Sequence, residues 1–176
     1  MRTGDGKGPA SRTHTGRLVP EQGPELAIRV ARQAGWPLDL VGPIANPRYC
    51  ATHVEPLLGG EVRYRGHLTH DELAVMLRAA SVCLVTPRWD EPYCLVAAEA
   101  LACGTPVCGF ARGALPELLD DRCAVLVKPD DVGALAAGLP AAARLSRAAA
   151  RAHAAACCSQ EQMIAQYENL YRDVAA

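Results

Sequence analysis

Strand-like and helix-period segments alternate along this 176-residue chain, and that alternation limits its fold more than any other feature. Residues 24–34 carry helical apolar spacing that stops at Gly35, and 38–42 read as a short buried strand. Residues 48–58 form a weaker helical pattern and 61–65 a strand. Thr69, ahead of an Asp-Glu first turn, caps a helix to residue 80, and a near-continuous apolar strand follows over 82–86. A strand at 107–110, a helix at 115–119, a strand at 124–128 and helices from Asp131 onward complete the series. Strands separated by helical crossovers predict an α/β fold: a doubly wound parallel sheet with helices on both faces. In such a sheet ligands bind at the carboxyl ends of the strands, at the point where strand order reverses. Three loops fall there, residues 15–23, 66–69 and 87–94.

Half of the residues are hydrophobic, enough for a real core, but the length suits one domain and not two. A net charge of -1 gives no basic face for nucleic acid. No apolar run reaches membrane-spanning length and the amino-terminal residues lack a secretion signal, so the expected location is cytoplasmic. Eight cysteines are scattered through strand and helix patterns without metal-ligand spacing. Cys83 and Cys108 read as small buried hydrophobes, and the adjacent Cys157 and Cys158 suit neither a CxxC redox pair nor a zinc site.

The densest chemistry lies in residues 88–110, RWDEPYCLVAAEALACGTPVCGF. Pro92 suits the first helical position, so the helix is expected to begin there, with Glu91 at its mouth and Glu99 two turns in. At the helical rise the two carboxylates stand roughly 12 Å apart. One can accept bonds from sugar hydroxyls and the other from ribose hydroxyls, with a diphosphate between them. Taken alone, two glutamates at this spacing are also an ordinary first-turn acid and a solvated helix residue. The context that follows, a Gly104 stop and a strand led by Pro106, gives the pair its weight.

These residues resemble the Glu-x7-Glu signature of the retaining glycosyltransferases of family 4, which have the GT-B fold: Glu91-Pro92-Tyr93-Cys94-Leu95, then Glu99-Ala100, then Cys103-Gly104-Thr105-Pro106-Val107. Upstream, GRLVPEQG (16–23), LVGPI (40–44) and VRYRGHL (62–68) are similar to that family's phosphate loop, second strand and base-contacting loop. Downstream, GALPELL and QMIAQYENLY continue the match, which covers about residues 16–176. The resemblance implies the carboxyl-terminal, Rossmann-like half of a GT-B enzyme, with the amino-terminal acceptor domain absent from this chain. It implies hexosyl transfer from a UDP-, GDP- or ADP-linked sugar with retention of configuration, and no resident metal or cofactor.

By the same resemblance Glu91 orients the sugar and Arg17 pairs with the diphosphate. Donor contacts fall on Glu99, Gln22, Gly66, His67, Leu68, Pro92, Tyr93, Cys94 and Leu95. His67 contributes through the backbone of its loop and, lacking an acid partner, reads as no catalytic base. Two positions depart from the family. Gln22 stands where the family has lysine, and a neutral amide forfeits a charge-assisted hydrogen bond of about 1.5–3 kcal/mol. Cys94 stands where the family has glycine; its thiol either points away from the phosphates or is a reactive group with a pKa lowered by the helix terminus. A non-catalytic, degenerate nucleotide-binding module is the competing reading.

Residues 1–15, MRTGDGKGPASRTHT, occupy the place of the family's first strand but read as a disordered polar arm. Their GDGKG run lacks the spacing of a phosphate loop. At the other end Met163, Tyr167, Leu170, Tyr171 and Val174 form an apolar helical stripe. That stripe either folds onto the sheet or offers an association surface for a second polypeptide or a second copy.

Overall fold

The computed structural model describes residues 12–175. Six parallel strands form one sheet: β1 (Arg12–Thr15), β2 (Leu38–Val41), β3 (Val62–Tyr64), β4 (Val82–Val85), β5 (Val107–Phe110) and β6 (Ala124–Val127), in the spatial order β3-β2-β1-β4-β5-β6. This is the doubly wound arrangement, and its strand order reverses between β1 and β4.

Helices cover both faces. On one side lie α1 (Pro24–Ala34) and α6 (Val132–Ala142), packed on each other and on Leu38, Leu40, Val82, Leu84, Cys108 and Phe110. On the other lie α3 (His70–Ala79), α4 (Leu95–Ala102), the short α5 (Leu115–Leu118) and α7 (Arg147–Cys157), over Cys83, Val85, Val107 and Ala124. The period-2 pleat explains the division along β4: Val82 and Leu84 face one cluster, Cys83 and Val85 the other.

The helix limits follow from local chemistry. Gly35 closes α1 in the left-handed region at φ 67°, donating its N–H to the last turn. Thr69 and Glu72 form a capping box at the start of α3. The pattern at 48–58 is not one helix: α2 (Pro47–Tyr49), capped by Asn46, widens into a π-helical turn (Cys50–Val54) and ends in a 3-10 turn (Glu55–Leu57). Pro56 lacks the N–H that an α-helix would use there.

The boundary of the polar arm moves. Residues 12–15 are the central strand β1, buried throughout and paired with both β2 and β4; residues 1–11, with the GDGKG run, lie outside the described residues. Backbone demand overrides polar side chains here, because β2 and β4 would otherwise leave a buried row of N–H and C=O groups without partners. Two of the four side chains, Arg12 and His14, meet a local answer. Arg12 stacks on Trp36 at 3.1 Å, and His14 Nδ1 lies 3.1 Å from the Leu84 carbonyl oxygen. Burial lowers the His14 pKa to about 4, against a smaller opposing effect of that hydrogen bond.

Helix α8 (Gln160–Ala175) does not fold onto the sheet. None of its described residues is buried, and Tyr171 is 68% and Val174 79% exposed. Among the described residues, no helix is long and apolar enough to cross a membrane.

Candidate functional site

Two strand exits meet at the switch point. After β1 the chain turns through Gly16 and Arg17 into a 3-10 turn, Pro20–Gln22, then passes Gly23 (φ 59°) into α1. Gly16 N–H donates to the Val41 carbonyl at 3.0 Å and Leu18 N–H to the Pro43 carbonyl at 2.9 Å, holding the turn against the end of β2. The approach is close: a β-carbon at Gly42 would lie 1.9 Å from the Gly16 carbonyl oxygen.

After β4, Thr86 Oγ1 donates to the Gly23 carbonyl at 2.9 Å, and Arg88 N–H donates to the Glu21 carbonyl at 2.8 Å. Arg88 also pairs with the buried Glu25 at 2.9 Å, and Glu25 accepts a hydrogen bond from the Tyr49 hydroxyl. Burial, and then Glu25 beside it, raises the Tyr49 pKa. A third segment closes the frame. Ala114 N–H donates to the Glu91 carbonyl at 2.9 Å, Gly113 N–H to Asp90 Oδ1 at 3.2 Å, and Arg112 Nη1 to the Pro87 carbonyl at 3.1 Å. Sequence reasoning assigned no role to Glu25, Tyr49, Arg88, Arg112 or Gly113. Of these, Arg88 alone lies in one of the three loops expected at the ligand-binding edge, residues 87–94.

Helix α4 begins at Leu95, three residues later than the expected start at Pro92. The cause is Cys94, whose φ of 67° is left-handed and interrupts helical backbone. Glu91 therefore sits in the preceding loop, its carbonyl held by Ala114 instead of a helical turn, and the helical-rise spacing does not apply to the pair. The N–H groups of Leu95 and Val96 head α4 without intrahelical partners.

The thiol of Cys94 is buried beside Cys83 and Ala97, and burial pushes its pKa up to about 12. It is no activated nucleophile, because desolvation outweighs the helix terminus and the nearby Glu91 carboxylate acts in the same direction. All eight cysteines are free; Cys83 and Cys108 are fully buried, with pKa values raised by the same cause.

Two adjoining clefts open at the carboxyl ends of β1 and β4. One, of 360 Å³, is lined by Gly16, Arg17, Gln22, Glu91 and the run Pro92, Tyr93, Cys94, Leu95. The other, of 300 Å³, is lined by Gly16, Arg17, His67, Leu68, Thr69 and Glu99. Gly16, Arg17 and Val96 belong to both. The two glutamates thus face two compartments of one depression, with Arg17, exposed, at the shared rim. Gln22 Nε2 donates to Glu91 Oε1, an orientation fixed by chemistry since a carboxylate only accepts. Gly66 lines neither cleft; at φ 82° it turns the chain after β3, and its carbonyl accepts the Gly42 N–H at 2.9 Å. The volumes fall at the lower end of the roughly 300–1,000 Å³ typical of ligand sites. A larger groove of 680 Å³, mostly apolar, runs between α4, α7 and α8. Glu99 lines it as well, with Arg151 and Gln160 as its other long polar side chains.

Comparison with known proteins agrees with this geometry. Residues 7–156 match the family described as glycosyl transferases group 1. The chain is 34% identical, over 90% of its length and 41% of the relative's, to a D-inositol 3-phosphate glycosyltransferase of Mycobacterium avium. Among solved structures it is similar to a sucrose-phosphate synthase from Thermosynechococcus elongatus, with a TM-score of 0.81 and 32% identity over 94% of this chain and 45% of that one. It shares the fold of Anabaena HepE, solved in complex with UDP-glucose, at TM-score 0.78 and 22% identity over 93% of this chain and 49% of that one. The chain spans less than half the length of the curated relatives it matches. With a family match over residues 7–156, a shared doubly wound fold and a cleft at the switch point, the chain belongs to the group 1 glycosyl transferases.

Proposed function

We propose that this chain is the donor-binding half of a retaining, family 4 glycosyltransferase with GT-B architecture. The observation that carries the reading is the divided cleft, in which Arg17 stands between a compartment containing Glu91 and one containing Glu99. The nucleobase lies against the loop of Gly66, His67 and Leu68, and Glu99 accepts hydrogen bonds from the ribose hydroxyls. The diphosphate rests at the free N–H groups of α4 with the Arg17 guanidinium, a permanently charged forked donor. Glu91, steadied by Gln22, accepts from the sugar hydroxyls. As the bond between the anomeric carbon and the phosphate oxygen breaks, negative charge grows on the leaving diphosphate, where Arg17 and the helix terminus oppose it. The acceptor oxygen bonds to the anomeric carbon and its proton passes to the leaving phosphate oxygen.

The UDP-glucose complex of HepE supports a uridine donor, and the named inositol phosphate glycosyltransferases support a polar hydroxyl acceptor. The acceptor itself is positioned by a half that these relatives carry outside the matched region. The exposed apolar stripe of α8 is the surface on which that half, or another polypeptide, docks. Gln22 favours a second reading, a nucleotide-binding module without turnover, because it withdraws a charge from the donor site.

Calorimetric titration with UDP, GDP and ADP tests the proposal. UDP binds saturably, and Glu99→Ala weakens it by about 2 kcal/mol, roughly 30-fold, through lost ribose bonds. Equal affinity in wild type and Glu99→Ala, or no binding by a folded chain, rejects the donor site.

A further inference from the structure

A second constellation lies away from the clefts, where the turn between α5 and β6 meets α7. Asp120 and Cys123 belong to that turn, and His153 projects from α7. One side-chain donor atom from each of the three lies within 4.8 Å of the others. His153 Nε2 lies 2.7 Å from the Leu118 carbonyl oxygen, which can only accept, so Nε2 carries the hydrogen. In the neutral imidazole Nδ1 is then the bare nitrogen. It is buried without a hydrogen-bond partner, on a side chain only 9% exposed, and it points at Asp120 Oδ2, 3.4 Å away. A lone pair, a carboxylate and a buried sulfur therefore converge, with Asp120 Oδ2 balanced among the described residues only by the guanidinium of Arg122. A cation resolves that arrangement.

We propose that Asp120, Cys123 and His153 hold a divalent transition-metal ion of the zinc class. Three features fit. Tetrahedral ligands with bonds of about 2.0–2.1 Å stand roughly 3.3–3.4 Å apart, the separation already present between His153 Nδ1 and Asp120 Oδ2. The Nε2–H bond to a backbone carbonyl is the kind of contact that fixes the ring orientation of a metal-bound histidine. Sulfur and imidazole donors select zinc-like ions over calcium and magnesium. Binding releases the Cys123 proton, now directed at the Asp120 carbonyl oxygen 3.4 Å away, because the thiolate is the ligand. Arg122 is the competitor: its Nε and Nη2 donate to Asp120 Oδ2 at 3.0 and 2.5 Å from a side chain that is 70% exposed, and the ion displaces them when it binds. The ion staples the turn before β6 to α7. A search for paired cysteines misses the site because its ligands come from two elements and only one is cysteine.

The test is titration of the chelator-treated chain with cobalt(II) alone, followed by absorption. The expected result is a thiolate-to-cobalt charge-transfer band with visible ligand-field bands, lost in Cys123→Ser. His153→Gln weakens cobalt binding by at least about tenfold. The band persists in the double variant Cys157→Ser, Cys158→Ser, which removes the exposed thiol of Cys157 and the half-buried one of Cys158. Absence of the band, its survival in Cys123→Ser, or its loss in the double variant overturns the proposal and leaves an Asp120–His153 ion pair. Circular dichroism of each variant accompanies the titration. If Cys123→Ser fails to fold, unchanged cobalt affinity in both His153→Gln and Asp120→Asn is the overturning result.

Discussion

β1 and β4 lie side by side at the centre of the sheet and are equally buried, yet one reads Arg-Thr-His-Thr and the other Val-Cys-Leu-Val. β4 is placed by its side chains, which alternate between two apolar clusters. β1 is placed by its backbone, which satisfies two neighbours at once. The difference shows that the switch point needs a strand in the middle more than it needs an apolar one. It also shows where the tolerance ends, since Thr13 Oγ1 and His14 Nε2 are buried without hydrogen-bond partners.

The exits of the two strands are joined at Gly23, and breaking that joint gives the largest effect. A β-carbon there would lie 2.3 Å from the Thr86 carbonyl oxygen, in a backbone already at φ 59°. Gly23→Ala is expected to destabilise the fold by about 3–5 kcal/mol, from left-handed strain and backbone overlap together. Urea unfolding measures this loss. A midpoint unchanged from wild type would mean that the two exits are not rigidly coupled.

Acid separates the strands next, because β4 has no basic group and β1 has His14. Its folded pKa of about 4 lies below the ordinary value of 6.5, so the unfolded chain binds the proton first. The His14 contribution to stability is complete above pH 6.5, falls as pH drops toward 4 and levels off below. The loss amounts to about 3 kcal/mol. In His14→Leu this part of the pH dependence disappears, leaving the carboxylates. Denaturant midpoints from pH 7 to pH 4 read the difference between the two proteins.

Why β4 was legible in the sequence and β1 was not follows from the same contrast. Five of the six strands announce themselves by side-chain pattern, as do α1 with its Gly35 stop and α3 with its Thr69 cap. β1 carries its signal only in the partners it satisfies, which a local reading of Arg-Thr-His-Thr cannot reveal. At the site, the motif residues Arg17, Gln22, Glu91 and Glu99 were readable and line the depression. The clamp of Arg112, Gly113 and Ala114 was not, since those residues reach Pro87, Asp90 and Glu91 from more than twenty positions away. The start of α4 was misplaced because Pro92 suits a first helical turn, while the backbone turn that displaces it belongs to Cys94.

The loops beyond the two strands also differ in charge. Gln22 meets Glu91 across them as a neutral donor. Gln22→Lys makes that contact charge-assisted and adds a cation beside Arg17, so UDP affinity is expected to rise by about 1.5–2 kcal/mol, or roughly 10–30-fold. Calorimetry at two salt concentrations checks the gain, which shrinks as salt rises. No gain at low salt would place the diphosphate out of reach of residue 22.

The smallest effect on stability belongs to Cys94, where the β4 exit departs from regular backbone. Cys94 and Asp130 are the non-glycine residues with positive φ among the described residues, and both border this exit. Asp130 accepts from Arg112 Nη2 at 2.8 Å, while Arg112 Nη1 holds the Pro87 carbonyl. Aspartate tolerates the left-handed region; cysteine does so at a cost of about 1–2 kcal/mol. Cys94→Gly relieves that strain but gives up the buried side chain and about 0.5–1 kcal/mol of unfolded-chain entropy. The opposing changes nearly cancel, and the unfolding free energy is expected to move by less than about 1 kcal/mol. Nucleotide affinity is the sharper readout. If the β-carbon of residue 94 crowds the phosphates, glycine tightens UDP binding at unchanged stability; if the thiol side lies wholly in the core, affinity stays the same and the departure from glycine is a matter of backbone strain alone.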